Sequence, residues 1–224
     1  MKLRISRRSA LALLAGLPLS ASVFGAIDLL PKELAVHDQA VSVRIVNNGD
    51  RAEYVSISLA RLLNPGVPLA DEKLEPIGET ARPALYAFPF RVSLAPGQSK
   101  TITLKPLRPV ESETVYRLDV KPVVKLLGEA RKETAGNIVV NLAFSGLIRQ
   151  LPANERASVS VTCDADGARI NATGNVRYKV TGAEVDGRTL DDFNVYPGVP
   201  LPLKGNVVTI PGQPMCSGSP GTAP

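Results

Sequence analysis

Few residues in this 224-residue chain have the types and spacing that chemistry demands. The only histidine, His37, stands between Val36 and Asp38 near a turn, and a nucleophile would find no other imidazole to serve as its base. It reads as a surface residue. Pro96-Gly-Gln-Ser-Lys-Thr101 looks superficially like a phosphate loop, but it lacks the first glycine at the required spacing and no helix follows it. Glu111, Glu113, Asp191 and Asp192 could be imagined as acid–base pairs or calcium ligands. Nothing in their spacing favours either over a solvated surface. Asn171-Ala-Thr173 matches a glycosylation acceptor by pattern alone and receives no role. The chain therefore reads as a non-enzyme that needs no metal and no cofactor.

Cys163 and Cys216 are the remaining reactive side chains. There is no CxxC spacing and His37 is far away in sequence, so a structural disulfide is preferred to a metal or redox pair. A bridge would pin down the Pro-, Gly- and Ser-rich tail 211–224. By restricting the unfolded chain it would contribute roughly 4 kcal/mol.

An oxidising compartment also fits the other end of the chain. Residues 1–8 are cationic, and an apolar stretch centred on Leu11–Leu19 leads to the small residues Gly25 and Ala26. Residues 1–25 are expected to be a signal peptide cut near Gly25 or Ala26, because the apolar centre is short and is broken by Pro18. Four of the 26 basic residues and none of the 21 acidic ones fall there, so the rest is close to electrically balanced. Nucleic-acid binding, which needs a surplus of cations on one face, is not expected. No later segment could insert in a membrane, and the mature chain is expected to be secreted or periplasmic.

The elements around these residues read as strands. Val41, Val43 and Ile45 share one face before the turn Asn47-Asn-Gly-Asp50, and Tyr54–Leu59 alternates again. Arg91–Leu94, the turn Ala95-Pro-Gly-Gln98 and Lys100–Leu104 read as a hairpin, and Val115–Val120 adds a further strand. About seven such runs over 26–151, with no strand–helix alternation, indicate an immunoglobulin-like sandwich. Residues 152–224 hold a shorter series, Ser158–Thr162, Ala168–Asn171, Val176–Val180 and Asn206–Ile210, expected to form a smaller sandwich. No Gly/Ser linker separates the two, so the joint is expected to be direct and rigid. In Asn137–Phe144 the apolar row Ile138, Val140, Leu142 and Phe144 projects from one side. Such a row suits either an ordinary core-facing strand or an edge strand that offers its side chains to another protein.

Val43–Asp50, Leu94–Lys100, Glu113–Arg117 and the alternating run 137–144 together resemble the PapD-like periplasmic chaperones of the chaperone–usher pilus pathway. Leu147-Ile-Arg-Gln-Leu-Pro152 and Gly174-Asn-Val-Arg177 are most like the alternate branch that serves colonisation-factor-type fimbriae. The resemblance implies an all-β chain of two immunoglobulin-like domains joined at an angle across a cleft. It implies that Ile138, Val140, Leu142 and Phe144 form a donor strand filling the open groove of a pilin subunit, which then passes to an outer-membrane usher. It also implies basic residues in the cleft that anchor the pilin's C-terminal carboxylate. Arg44 and Arg149 are nominated, since an arginine fork can take both carboxylate oxygens. The PapD-like pattern has a lysine five residues before the proline of this motif, where this chain has Leu147. Arg149 lies two positions further, on the same side of an extended strand. The family's first-strand arginine has no clear match, which leaves Lys32 as a spare candidate. Exposed strand edges would also let two copies cap each other. The rival reading is a secreted structural or adhesive fimbrial subunit. It needs an N-terminal donor extension, for which Ile27–Lys32 is too short.

Overall fold

The computed structural model describes residues 27–123 and 143–217. Among the described residues the first unit contains ten strands: β1 (Ile27–Leu30), β2 (Glu33–Val36), β3 (Val41–Asn47), β4 (Glu53–Leu62), β5 (Leu74–Pro76), β6 (Leu85–Phe88), β7 (Arg91–Leu94), β8 (Ser99–Pro106), β9 (Thr114–Pro122) and β10 (Phe144–Gln150). They form two facing sheets. One has the order β1-β3-β8-β6; the other runs β2-β10-β9-β4-β5, with β7 also paired to β4. Period-two alternation sends Val43 and Ile45 inward from the first sheet and Ile57, Leu118 and Ile148 inward from the second, all buried in one core.

Polar groups inside this core are satisfied. The Gln150 amide donates to the carbonyls of Ala84 and Arg108, while its Oε1 accepts the Tyr116 hydroxyl at 3.2 Å. Buried Asn47 donates to the Arg51 and Leu94 carbonyls and accepts the Gly49 N–H, which is why the chain turns at Asn47–Asp50. Residues 91–104 differ from expectation. β7 pairs with β4 and β8 pairs with β3 and β6, so the Ala95–Gln98 turn carries the chain from one sheet to the other instead of closing a hairpin. Turn chemistry fixes a reversal but not the partner of the departing strand.

The N-terminal strand also changes sheets. β1 pairs antiparallel with β3, whereas β2 pairs parallel with β10. Pro31 has no N–H with which to continue the first ladder, and the next carbonyl, Lys32, accepts the N–H of Leu147 at 2.8 Å. Gly146 leaves room for this crossing: a Cβ there would lie 2.8 Å from Leu29 Cδ2.

The second unit contains β11 (Val159–Asp164), β12 (Gly167–Ala172), β13 (Tyr178–Val180), β14 (Glu184–Val185), β15 (Arg188–Thr189), β16 (Phe193–Val195), β17 (Leu201–Lys204), β18 (Val207–Thr209) and β19 (Cys216–Ser217). Three small sheets, β11-β12-β17, β13-β16 and β15-β14-β18-β19, enclose a core of Ala168, Ile170, Val180, Ala183, Val195, Val208 and Ile210. Cys163 and Cys216 are bonded, with a Cα–Cα distance of 5.2 Å and a sequence separation of 53, tying β11 to β19. The all-β fold is as expected; its only helical pieces among the described residues are two single 3₁₀ turns, Leu69–Asp71 and Ile77–Glu79. No helix among the described residues is long and apolar enough to cross a membrane. The expected signal peptide lies outside the described residues.

Candidate functional site

The joint between the two units is built around one buried carboxylate. Glu113, just before β9, has a fully buried side chain. It accepts Arg149 Nε at 2.6 Å on one oxygen, and Arg149 Nη2 at 3.2 Å and the Arg177 backbone N–H at 2.7 Å on the other. Arg177, from the second unit, also reaches Glu33 with Nη2 at 2.8 Å and the Tyr196 hydroxyl with Nη1 at 3.4 Å. The reading of Glu113 as a solvated surface acid is therefore corrected: a carboxylate in this position is stable because three donors replace its water.

An apolar cluster lies beside these charges, with Tyr196 of the second unit buried against Leu62 and Val115 of the first and with Leu147 and Val199 packed around them. A cleft of about 250 Å³ opens there between Arg61–Leu63 and Tyr196–Val199. The motif Gly174-Asn-Val-Arg177 secures the linker. Asn175 donates to the Asn154 carbonyl and accepts the Arg156 N–H, and its own carbonyl accepts the N–H of Glu113. Gly174 is required because a Cβ would lie 1.8 Å from the Arg156 oxygen. The sequence contained the motif, but only the fold reveals that Gly174, Asn175 and Arg177 hold the joint.

β10 lies next to this joint, between β9 and the short outer strand β2. On one side it pairs with β9 along its whole length, Phe144–Gln150. On the other, β2 covers only Leu147–Gln150. Because β1 has crossed to the opposite sheet, no described strand pairs with Phe144–Gly146 on that side. Of the expected donor residues, Phe144 opens β10 and is half-buried, with the Lys32 ammonium 5.9 Å from its ring centroid. Ile138, Val140 and Leu142 lie outside the described residues.

The two nominated arginines are not brought together. Arg44 is exposed on β3 and alternates with inward-facing Val43 and Ile45, so it projects from the outer face of the first sheet. Arg149 flanks inward-facing Ile148 and projects from the outer face of the second. The whole core separates them, and no single carboxylate could span both. Lys32 is better placed, just before β2 and beside the stretch of β10 that no described strand pairs on that side, with Asp28 3.9 Å away. Arg177 is the residue that the sequence reading missed. Its only signal was its place in the Gly174–Arg177 motif. Arg117 also lies near the cleft, but its Nε donates to both oxygens of Glu72, at 3.1 and 2.9 Å, and its Nη2 contacts the same carboxylate. This bonding raises the Arg117 pKa further above its ordinary value. His37 is exposed, as expected, 3.8 Å from Glu155.

No protein-family model matches the chain. It is 28% identical over 170 residues to the CS1 fimbrial B subunit of Escherichia coli, covering 70% of each protein. It is 29% identical over 142 residues to the CFA/I fimbrial A subunit of Escherichia coli, covering 62% of this chain and 58% of that one. Among solved structures, the class 5 fimbriae chaperone CfaA superposes with a TM-score of 0.63 at 23% identity, over 82% of this chain and 90% of that one. A chain from the chaperone–tip adhesin complex of CFA/I fimbriae biogenesis gives 0.63 at 22%, over 88% and 100%. The Escherichia coli chaperone DraB gives 0.58 at 12%, over 83% and 90%. The two-sandwich architecture expected from the sequence is thus the fold that this chain shares with solved fimbrial chaperones.

Proposed function

We propose that this chain is a periplasmic chaperone that captures fimbrial subunits by donor-strand complementation and releases them to an outer-membrane usher. The observation that carries the reading is the far side of β10, which β2 pairs from Leu147 onward and which no described strand pairs at Phe144–Gly146. A client strand can add its backbone to the half that no described strand pairs, while the row Ile138, Val140 and Leu142 fills the client's groove and Phe144, packed against the chain's own core, marks where that row ends. Each side chain fully buried there would contribute about 1.5–3 kcal/mol. The exchange needs no catalytic step and no cofactor.

The client's C-terminal carboxylate is assigned to the cationic end of this edge, to Arg149, Arg177 and Lys32 in place of Arg44. Domain boundaries near 151–152 suit this division of labour, with the first domain lending the strand and the second supplying Arg177. The names of the two Escherichia coli relatives favour a second reading, a fimbrial subunit. Against it, β10 already sits between β9 and β2 and completes the first sandwich, whereas a pilin that needs a donor lacks its last strand.

Co-expression with a candidate fimbrial subunit tests the proposal. Val140→Asp with Leu142→Asp should abolish protection of that client from proteolysis while the variant itself stays folded. Full protection by the double variant would discard the donor-strand reading, and incorporation of the chain into assembled fibres would establish the rival.

A further inference from the structure

We infer that Glu33 is a displaceable carboxylate supplied by the chain itself, which holds the Arg177 guanidinium until the terminal carboxylate of a docked strand replaces it. The inference rests on the strand-lending reading above and adds a self-competing step to it.

Glu33 is the first residue of β2 and stands opposite Leu147, where the covered half of β10 begins. A strand laid along Phe144–Gly146 occupies the same side of β10 as β2, in line with it, and so ends against Lys32 and Glu33. If that strand runs parallel to β10, as β2 does, the end that arrives there is its C-terminus. An antiparallel strand would bring its N-terminal ammonium to the arginines, which electrostatics disfavours.

Charge and access then single out Glu33. Arg149 and Arg177 are balanced by Glu113 and Glu33. Glu113 is sealed, with 0% of its side chain exposed and both oxygens engaged, so it cannot leave. Glu33 is 48% exposed, 2.8 Å from Arg177 Nη2 and 3.8 Å from Arg149 Nη1. Nearby Arg117 is occupied by Glu72, whose side chain is only 4% exposed. Among the described acids of the joint, Glu33 is thus the one that can swing into water and leave behind a partly desolvated guanidinium of fixed position. An incoming carboxylate restores neutrality without new burial of charge, so the exchange discriminates free C-termini from internal strands.

The test uses the full chain and an N-acetylated octapeptide of alternating threonine and valine, as free acid and as C-terminal amide, with affinity read by titration and the Arg149 and Arg177 side-chain NMR signals followed. Wild type should prefer the acid. Glu33→Gln should tighten acid binding by about fivefold and leave the amide unchanged, the size expected for removing a partly exposed ionic competitor. Arg177→Ala should erase the acid preference. Glu33→Asp, which keeps the charge but shortens its reach, should fall between and serves if Glu33→Gln perturbs the fold. Equal acid affinity in wild type, Glu33→Gln and Glu33→Asp overturns the role of Glu33 while a preference for acid over amide keeps the anchoring site. Failure of every variant to bind either peptide overturns both.

Discussion

In the first sandwich the space between the sheets is filled by large side chains, among them Leu29, Ile45, Leu85, Ile102, Leu104, Tyr116 and Leu118, and no cysteine takes part. In the second, the buried cluster is mostly Ala and Val around Ile170 and Ile210, its strands are only two to six residues long, and a disulfide closes it. The difference teaches how one chain stabilises two domains of unequal size. Where enough apolar area can be buried, packing suffices; where the surface-to-volume ratio is unfavourable, restricting the unfolded chain substitutes for core. Between them lies a third arrangement, a joint in which one buried carboxylate, two arginines and a tyrosine-centred cluster hold the units together. That solution fixes geometry, because a buried ion pair tolerates few alternative arrangements.

The largest effect is expected at this joint. Glu113→Ala removes the hydrogen-bonded partner of Arg149 and leaves a mostly buried guanidinium with only the half-exposed Glu33 at 3.8 Å, which costs about 3 kcal/mol. Calorimetry should then resolve two unfolding transitions where the wild type couples them; an unchanged melting profile would show that the apolar cluster alone holds the joint. Next comes the contrast between the cores. Cys163→Ser with Cys216→Ser should destabilise the second sandwich by roughly 4 kcal/mol. Amide exchange should accelerate in β12 and β18 and stay slow in β8 and β9. Acceleration in both units would mean that the two cores are one cooperative body.

The smallest effect sharpens the comparison from the packed side. Burial pushes the Tyr116 phenol up to about 12, with Arg61 and Arg108 pulling weakly in the opposite direction. The folded state therefore keeps a proton that the unfolded chain loses near pH 10. This contribution is intact below about pH 10 and is lost as pH rises through about 12, amounting to roughly 2–3 kcal/mol. Unfolding at pH 9 and pH 11.5 should show a decline in the wild type that Tyr116→Phe largely removes. Equal declines in the two proteins would indicate that Tyr116 ionises in the folded state at its ordinary pKa.

The elements readable in advance were those with local causes. Alternation along Val41–Ile45 and Val115–Val120 located strands because the side-chain period of an extended chain is set within a few residues. The Cys163–Cys216 bond was legible because two cysteines allow one pairing. The Asn47–Asp50 turn followed from the hydrogen-bonding reach of asparagine. The hairpin expected over 91–104 failed for the complementary reason: a turn reverses the chain whether or not the strands on either side belong to one sheet.

Residue type and spacing therefore determined that this chain is made of strands, where most of them run in the first domain, and which sulfurs are joined. The tertiary structure alone decided that Arg44 and Arg149 stand on opposite faces, that Glu113 is sealed rather than solvated, and that Glu33, Arg149 and Arg177 meet at one edge. The physical reason is distance along the chain. Alternation and turns are enforced by neighbours, whereas burial and ion pairing depend on which remote strands the packed sheets bring side by side, and no local pattern encodes that choice.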